Sequence, residues 1–375
     1  MQWQTRITQL LGIEHPFICS GMTYVSNAEL AAAVSNAGGL GLIQIGHLSP
    51  EQARAEIRKA RGLTNKPFGI GLALMMPGAT ENAEVALAEK VPVINFSLGK
   101  GDWLCQRAHA YGGKVIATVV NAKHAQAAER SGVDALIVTG HEAAAHGGDV
   151  TTLVLVPAIR RVTKLPIIAA GGLADGASLP AILALGGDAV AMGTRWAMTV
   201  ESPLHENTRQ VVLKKSVHDT IYTSNFDGMP CRIMKTPTGQ AVSKKPLTPW
   251  RACWEALKAM RAQRRPWSEL FSTIRQEGLL AAIKLAYFGA AIERIRVAIL
   301  DGDQTRGVQL IGQAQGLIND VPSCAQLMQR LLEEARGRVG NESRTVVIDP
   351  LISMETAAAA LEPAARMWCS LSITA

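Results

Sequence analysis

A closed (β/α)8 TIM barrel, an α/β fold, with an appended, mainly helical C-terminal region is the fold class the sequence predicts, on two observations. Between residues 15 and 199, eight short β-branched or apolar runs alternate with alanine-rich amphipathic stretches, as βα units around a parallel sheet do. Several of the helical stretches end in glycine (Gly38-Gly39, Gly112-Gly113, Gly132, Gly186-Gly187), the residue that supplies a left-handed cap before the next strand. An open sheet seldom needs eight consecutive right-handed crossovers, so closure is preferred.

The runs, in order, are Pro16 to Met22, Leu40 to Gly46, Phe68 to Met75, Val91 to Leu98, Lys114 to Val120, Asp134 to Gly140, Pro166 to Gly171 and Asp188 to Met192. Helices are expected between them at Asn27 to Asn36, Pro50 to Lys59, Asn82 to Glu89, Ala122 to Arg130, Leu153 to Thr163 and Ala177 to Leu185. The chain divides into a barrel over residues 1–202, completed or not by C-terminal helices, a mainly helical cap or substrate region over 203–341, and a tail over 342–375. The second region is richer in Lys, Arg and Gln, with long helical patterns at Trp250 to Arg264, Trp267 to Leu300 and Ala325 to Arg338. It is expected either to cover the barrel mouth or to form a subunit interface, as in a homodimer.

Composition narrows the function classes. Of 375 residues, 48% are hydrophobic and 18% charged, which suits a well-buried interior rather than disorder. A net charge of +7, from 38 basic against 31 acidic residues, is too dilute for a nucleic-acid stripe. The six cysteines have no Cys-x-x-Cys pair and no histidine at ligand spacing, so reduced thiols in a cytoplasmic protein are expected and no metal is. The N-terminus lacks an apolar signal core, and the greasiest stretch, Leu279 to Ala291, is broken by Lys284, so no membrane span is expected.

In such barrels the reactive residues sit at the C-terminal ends of the strands. The seventh run ends in Ala169-Ala170-Gly171-Gly172-Leu173-Ala174-Asp175-Gly176 and the eighth in Ala191-Met192-Gly193-Thr194-Arg195-Trp196. Bare glycines let backbone amides approach an anion, and the following helices point their positive ends the same way. One such turn is commonly only a tight turn; two on adjacent final strands make a phosphate cradle. The sixth run ends in Thr139-Gly140-His141-Glu142-Ala143-Ala144-Ala145-His146-Gly147-Gly148, where two imidazoles flank a carboxylate. This suits proton transfer near neutral pH, although solvated loop histidines or a helix cap would read the same. Gly21 permits close approach and Met22 offers either a soft surface for a flat ring or ordinary core packing. Thr118 is either a contact for a ribityl or phosphate oxygen or a plain strand threonine.

Together, Pro16…Gly21-Met22, Ala37-Gly38-Gly39-Leu40-Gly41, Gly140-x-Glu142…His146-Gly147, Ala170-Gly171-Gly172-x-Ala174-Asp175-Gly176 and Met192-Gly193-Thr194-Arg195 resemble the nitronate monooxygenase (2-nitropropane dioxygenase-like) family. The resemblance covers residues 10–200 and reappears weakly around Gly312-Gln313-x-x-Gly316-Leu317-Ile318. It implies an FMN-binding barrel in which Gly171, Gly172, Gly193 and Thr194, with Met192, hold the flavin phosphate. It further implies that Gly21 and Met22 lie by the ring, that Thr118, Glu142 and Ala145 complete the cofactor site, and that His146 is the catalytic base or substrate-orienting residue. Three positions depart from the family pattern: Thr139 replaces a usual Gln or Asp, Ala144-Ala145 replaces a small pair with glycine, and Gly71 stands where an Asn often faces the flavin pyrimidine edge.

By resemblance, the leading expectation is a flavoprotein monooxygenase that oxidises alkyl nitronates with oxygen. The second is an NAD(P)H-dependent flavin reductase of quinones or enoyl thioesters, with Lys214, Lys215, Lys244, Lys245, Arg264 and Arg265 either meeting a pyrophosphate or forming a solvated face. A non-catalytic ligand-binding barrel and a flavin-free isomerase or lyase using the same cradle are the other classes.

Overall fold

The computed structural model describes residues 2–76, 78–144, 146–245, 248, 250, 253–254, 279–339 and 345–347. The chain opens with strand β1 (Gln2–Gln4) and helix α1 (Arg6–Leu11). It then alternates β2 (Phe17–Cys19), α2 (Ala28–Asn36), β3 (Leu40–Gln44), α3 (Pro50–Leu63), β4 (Gly69–Ala73), α4 (Ala79–Ala88), β5 (Val93–Ser97), α5 (Asp102–His109), β6 (Lys114–Val119), α6 (Ala122–Arg130), β7 (Ala135–Thr139), α7 (Thr152–Arg160), β8 (Ile167–Ala170), α8 (Ser178–Ala184), β9 (Ala189–Met192) and α9 (Thr194–Ala197). Strands β2 to β9 are all parallel and pair in sequence order, and β9 closes on β2 with Ile18 opposite Ala191. Each of the eight runs read from the sequence is one of these strands.

Local chemistry sets the ends of the elements. Ser49 accepts from the Gln52 amide while Gln52 reaches back to Ser49, and Pro50 fills the first helical position, so α3 starts there. Asn27 and Asn121 cap α2 and α6 by accepting from the Leu30 and His124 amides. Gly38, Gly112, Gly132 and Gly186 hold φ between +85° and +90°, the left-handed stops anticipated from the sequence.

Strand alternation divides the core into two layers. Ile18, Leu40, Leu42, Val93, Ile116, Ile137, Ile168 and Ala191 point inward and pack with Ile7, Leu11 and Ile13, so α1 closes the barrel's N-terminal end. Arg6 anchors that plug, donating to both oxygens of Asp188 at 2.7 Å. The outward-facing residues pack against the helical ring in the larger core cluster.

Beyond the barrel come α10 (Glu206–Val212), the antiparallel hairpin β10 (Thr220–Thr223) and β11 (Cys231–Met234), α11 (Pro237–Lys244), α12 (Leu279–Ile299), a 3-10 turn at Gln313–Leu317, α13 (Cys324–Val339) and β12 (Thr345–Val347). Helix α13 packs between α2 and α8, with Glu334 accepting from the Gly176 amide at 2.7 Å, and so fills the last place in the helical ring. β12 pairs in parallel with β1. The predicted helix at Trp250 to Arg264 and the first part of that at Trp267 to Leu300 lie largely outside the described residues, as does most of the 342–375 tail. No described helix is long and apolar enough to cross a membrane.

Candidate active site

The C-terminal mouth of the barrel opens into a cavity of about 660 Å³. Its floor follows from strand alternation. Two residues beyond the inward-facing Ile18, Leu42, Val93, Ile116 and Ile137, the same face presents Ser20, Gln44, Asn95, Thr118 and Thr139, a polar layer on an apolar core. Asn95 and Thr118 turn to each other, the Asn95 amide donating to the Thr118 hydroxyl at 3.0 Å and to the Ile116 carbonyl at 3.1 Å.

Of the residues singled out from the sequence, Gly21, Met22, Thr118, Glu142, His146, Gly171, Gly172, Met192, Gly193 and Thr194 all line this cavity. Ala145 lies outside the described residues. Gly171 and Gly172 have φ of +107° and +75°, which L side chains rarely adopt, and a Cβ on Gly172 would stand 3.2 Å from the Glu142 side chain. Gly193 faces the Met22 thioether. Among the described residues, the amides of Gly172, Gly193 and Thr194 donate to no protein acceptor, so the loops after β8 and β9 present free N–H groups on one wall.

Glu142 does the local structural work of its loop. Its carboxylate accepts from the Thr152 amide at 3.0 and 3.1 Å and from the Thr152 hydroxyl, which places a negative group at the positive start of α7. Arg195, beside the cradle, turns away to Asp320 at 3.0 Å; burial pulls its guanidinium below the usual value and Asp320 opposes that shift.

His146 is half-buried, with Nε2 2.8 Å from Asp227 Oδ2. Asp227 is buried at 5% exposure, and its other oxygen accepts from the Met229 amide at 3.0 Å. A carboxylate can only accept, so it fixes the proton on Nε2 and leaves Nδ1 as the basic nitrogen. The β10–β11 hairpin holds this loop from outside. Arg232 donates to the His141 carbonyl at 2.8 and 3.1 Å, the Tyr222 hydroxyl donates to the Gly147 carbonyl at 2.8 Å, and the His141 and Tyr222 rings meet edge-on at 4.5 Å.

Sequence reasoning missed Asp227, Arg232 and Tyr222, because their partners lie more than 70 residues upstream and no local motif marks them. It did mark Gly312-Gln313. The Gly312 amide donates to the Thr194 hydroxyl at 3.2 Å and the Gln313 amide to the Glu142 carbonyl at 2.9 Å, tying that segment to both the cradle and the histidine loop. Lys214, Lys215, Lys244 and Lys245 do not line the cavity, Lys215 donating instead to the Lys235 carbonyl; Arg264 and Arg265 lie outside the described residues. Among the described residues, the lysine that does line it is Lys100, after β5.

A parallel barrel with a glycine cradle and a carboxylate-held histidine at its mouth frames a ligand site, and the comparisons give its class. The nitronate monooxygenase family model matches residues 4–88 and 78–334, and the chain belongs to that family. A (3aS,4S,5R,7aS)-5-hydroxy-7a-methyl-1-oxo-octahydro-1H-indene-4-carboxyl-CoA dehydrogenase from Mycobacterium tuberculosis is 31% identical, over 96% of this chain and 100% of the relative. A nitronate monooxygenase from Paraburkholderia phytofirmans is 30% identical, over 73% of this chain and 89% of the relative. Among solved structures, FabK from Thermotoga maritima superposes with a TM-score of 0.74 at 34% identity, covering 90% of this chain and 97% of that one. The protein is thus an enzyme of the nitronate monooxygenase and FabK group of oxidoreductases, a family that is flavin-dependent in general.

Proposed function

We propose that the protein is an FMN-dependent oxidoreductase of acyl thioesters, with His146 as its proton-handling residue. The observation that carries this reading is that the free amides of Gly172, Gly193 and Thr194 and the His146–Asp227 pair face one cavity. The cradle suits a flavin phosphate: Gly171 and Gly172 adopt conformations a side chain would resist, and among the described residues the amides of Gly172, Gly193 and Thr194 have no protein partner. Gly171, Gly172, Gly193 and Thr194, with Met192, would hold the phosphate. Gly21 and Met22 would meet the ring, and Thr118 and Glu142, with Ala145, would complete the cofactor site. When bound, FMN supplies a two-electron acceptor or donor.

The protein's own contribution is positioning and proton transfer. Asp227 keeps His146 in the tautomer whose Nδ1 accepts a proton, so His146 takes or returns the proton at the carbon next to the thioester carbonyl. A thioester is favoured over a nitronate because the carboxyl-CoA dehydrogenases align along nearly their whole length with this chain, whereas the nitronate monooxygenase relatives span 61% to 73% of it. The second reading, oxidation of alkyl nitronates by oxygen, uses the same cradle and histidine and is supported by the family model and those relatives.

The test is to identify the flavin released on denaturation and then compare kcat/KM for acyl-CoA thioesters, the free acids and alkyl nitronates. FMN release with a preference for thioesters supports the reading. A preference for nitronates transfers the assignment to the monooxygenase, and a flavin-free protein overturns both.

A further inference from the structure

We infer that Gln44 binds the polar edge of the flavin ring, an inference that rests on the FMN reading above. Gln44 ends β3, and its place on the strand follows from alternation: Leu40 and Leu42 point into the barrel core, so Gln44 rises on the same face at the floor of the mouth.

Two glycines make its seat. A Cβ on Gly71 would lie 2.5 Å from Gln44 Oε1, and one on Gly21 would lie 3.1 Å from it. Real Cβ atoms essentially never approach to 2.5 Å, so the Gln44 carboxamide occupies space that a side chain at residue 71 would take. The absence of a side chain at Gly71 is therefore matched by an amide delivered from the neighbouring strand. β3 and β4 pair in register there, with Gln44 opposite Gly71.

Of the other polar side chains of the floor, the Ser20 and Thr139 hydroxyls make no hydrogen bond to a described residue. Asn95 and Thr118 hydrogen-bond side chain to side chain. Of the floor's two carboxamides, that of Gln44 makes no hydrogen bond to a described residue, and it lines the cavity. A carboxamide offers one acceptor oxygen and a two-donor nitrogen on a single plane. That set complements the carbonyl, N–H, carbonyl edge of an isoalloxazine. The position also fits: β3 lies two strands from β9, or roughly 10 Å along the wall at about 4.8 Å per strand, so a phosphate held after β8 and β9 leaves the ring to extend across Met22 toward Gln44.

The test uses the full chain, FMN and 3-methyl-FMN, whose ring N–H is blocked. Wild type is expected to bind FMN about tenfold more tightly than 3-methyl-FMN, and Gln44→Leu to bind FMN about tenfold more weakly than wild type while no longer separating the two flavins; tenfold is about 1.4 kcal/mol. A second variant, Gln44→Glu, keeps the shape, and its added negative charge should make the bound flavin harder to reduce in an equilibrium dye titration. Wild-type affinity and discrimination in Gln44→Leu, or an unshifted potential in Gln44→Glu, would overturn the inference while leaving the FMN reading intact. Wild-type protein that binds neither flavin would overturn both.

Discussion

In the proposed reaction, His146 and Asp227 set the chemistry at the scale of single residues. Because Asp227 fixes the imidazole proton on Nε2, the two should fail together in turnover and separately from cofactor binding. His146→Ala is expected to keep FMN bound and lower turnover by roughly 10²-fold or more. Asp227→Asn, which can donate where the carboxylate only accepted, should retain flavin and lower kcat by at least about tenfold, with little change in thermal midpoint. Stopped-flow reduction and flavin fluorescence titration check both; unchanged turnover in His146→Ala would remove that residue from the mechanism. Cys19 illustrates the opposite environment. Burial pushes its thiol up to about 12, so native protein should resist alkylation there at neutral pH, whereas urea-unfolded protein should not, as peptide mass mapping would show.

Among elements, the β10–β11 hairpin acts as a clamp on the histidine loop. Arg232→Met deletes hydrogen bonds to the His141 carbonyl and the cation over the Tyr222 ring, so it should lower kcat while leaving FMN affinity near wild type. A loss of FMN affinity equal to the loss of kcat would mean that the hairpin supports the whole mouth instead. Helix α3 carries the clearest pH signal. Burial would raise the Glu89 carboxyl, but Arg58, Arg54 and Arg61 hold it below the usual carboxylate value. A depressed folded value stabilises above the unfolded pKa of about 4.3 and fades as pH falls through the folded one. The Tm advantage of wild type over Glu89→Gln should therefore be present at neutral pH and shrink in acid; an advantage that grew in acid would contradict it. These elements also show what could be read in advance. Each barrel strand falls in a short, mostly apolar run of the sequence, so all eight were legible. The hairpin was not, because Thr220–Thr223 and Cys231–Met234 are brief and their role depends on a loop far upstream.

At the scale of the whole molecule, described parts of the C-terminal region pack onto the barrel. Helix α13 supplies the last member of the helical ring, burying Leu327, Leu331 and Ala335, and the segment at Gly312 ties to the cradle. Leu331→Asp, which buries an unpaired charge, should destabilise by about 3 kcal/mol or more, read as a lowered denaturation midpoint. The glycine loops and histidine were legible because chain-local spacing marks them, whereas Asp227 and the place of Gln44 emerge only when the strands close and distant segments meet. We propose that the barrel mouth passes electrons between FMN and a thioester. The most direct test mixes the purified holoprotein anaerobically with an acyl-CoA, an alkyl nitronate, NADH and NADPH in separate experiments while flavin absorbance is followed. Bleaching by the acyl-CoA, or reoxidation by an enoyl-CoA of flavin first reduced with NADH or NADPH, is the result predicted; bleaching by nitronate alone, with no response to either thioester, would contradict it.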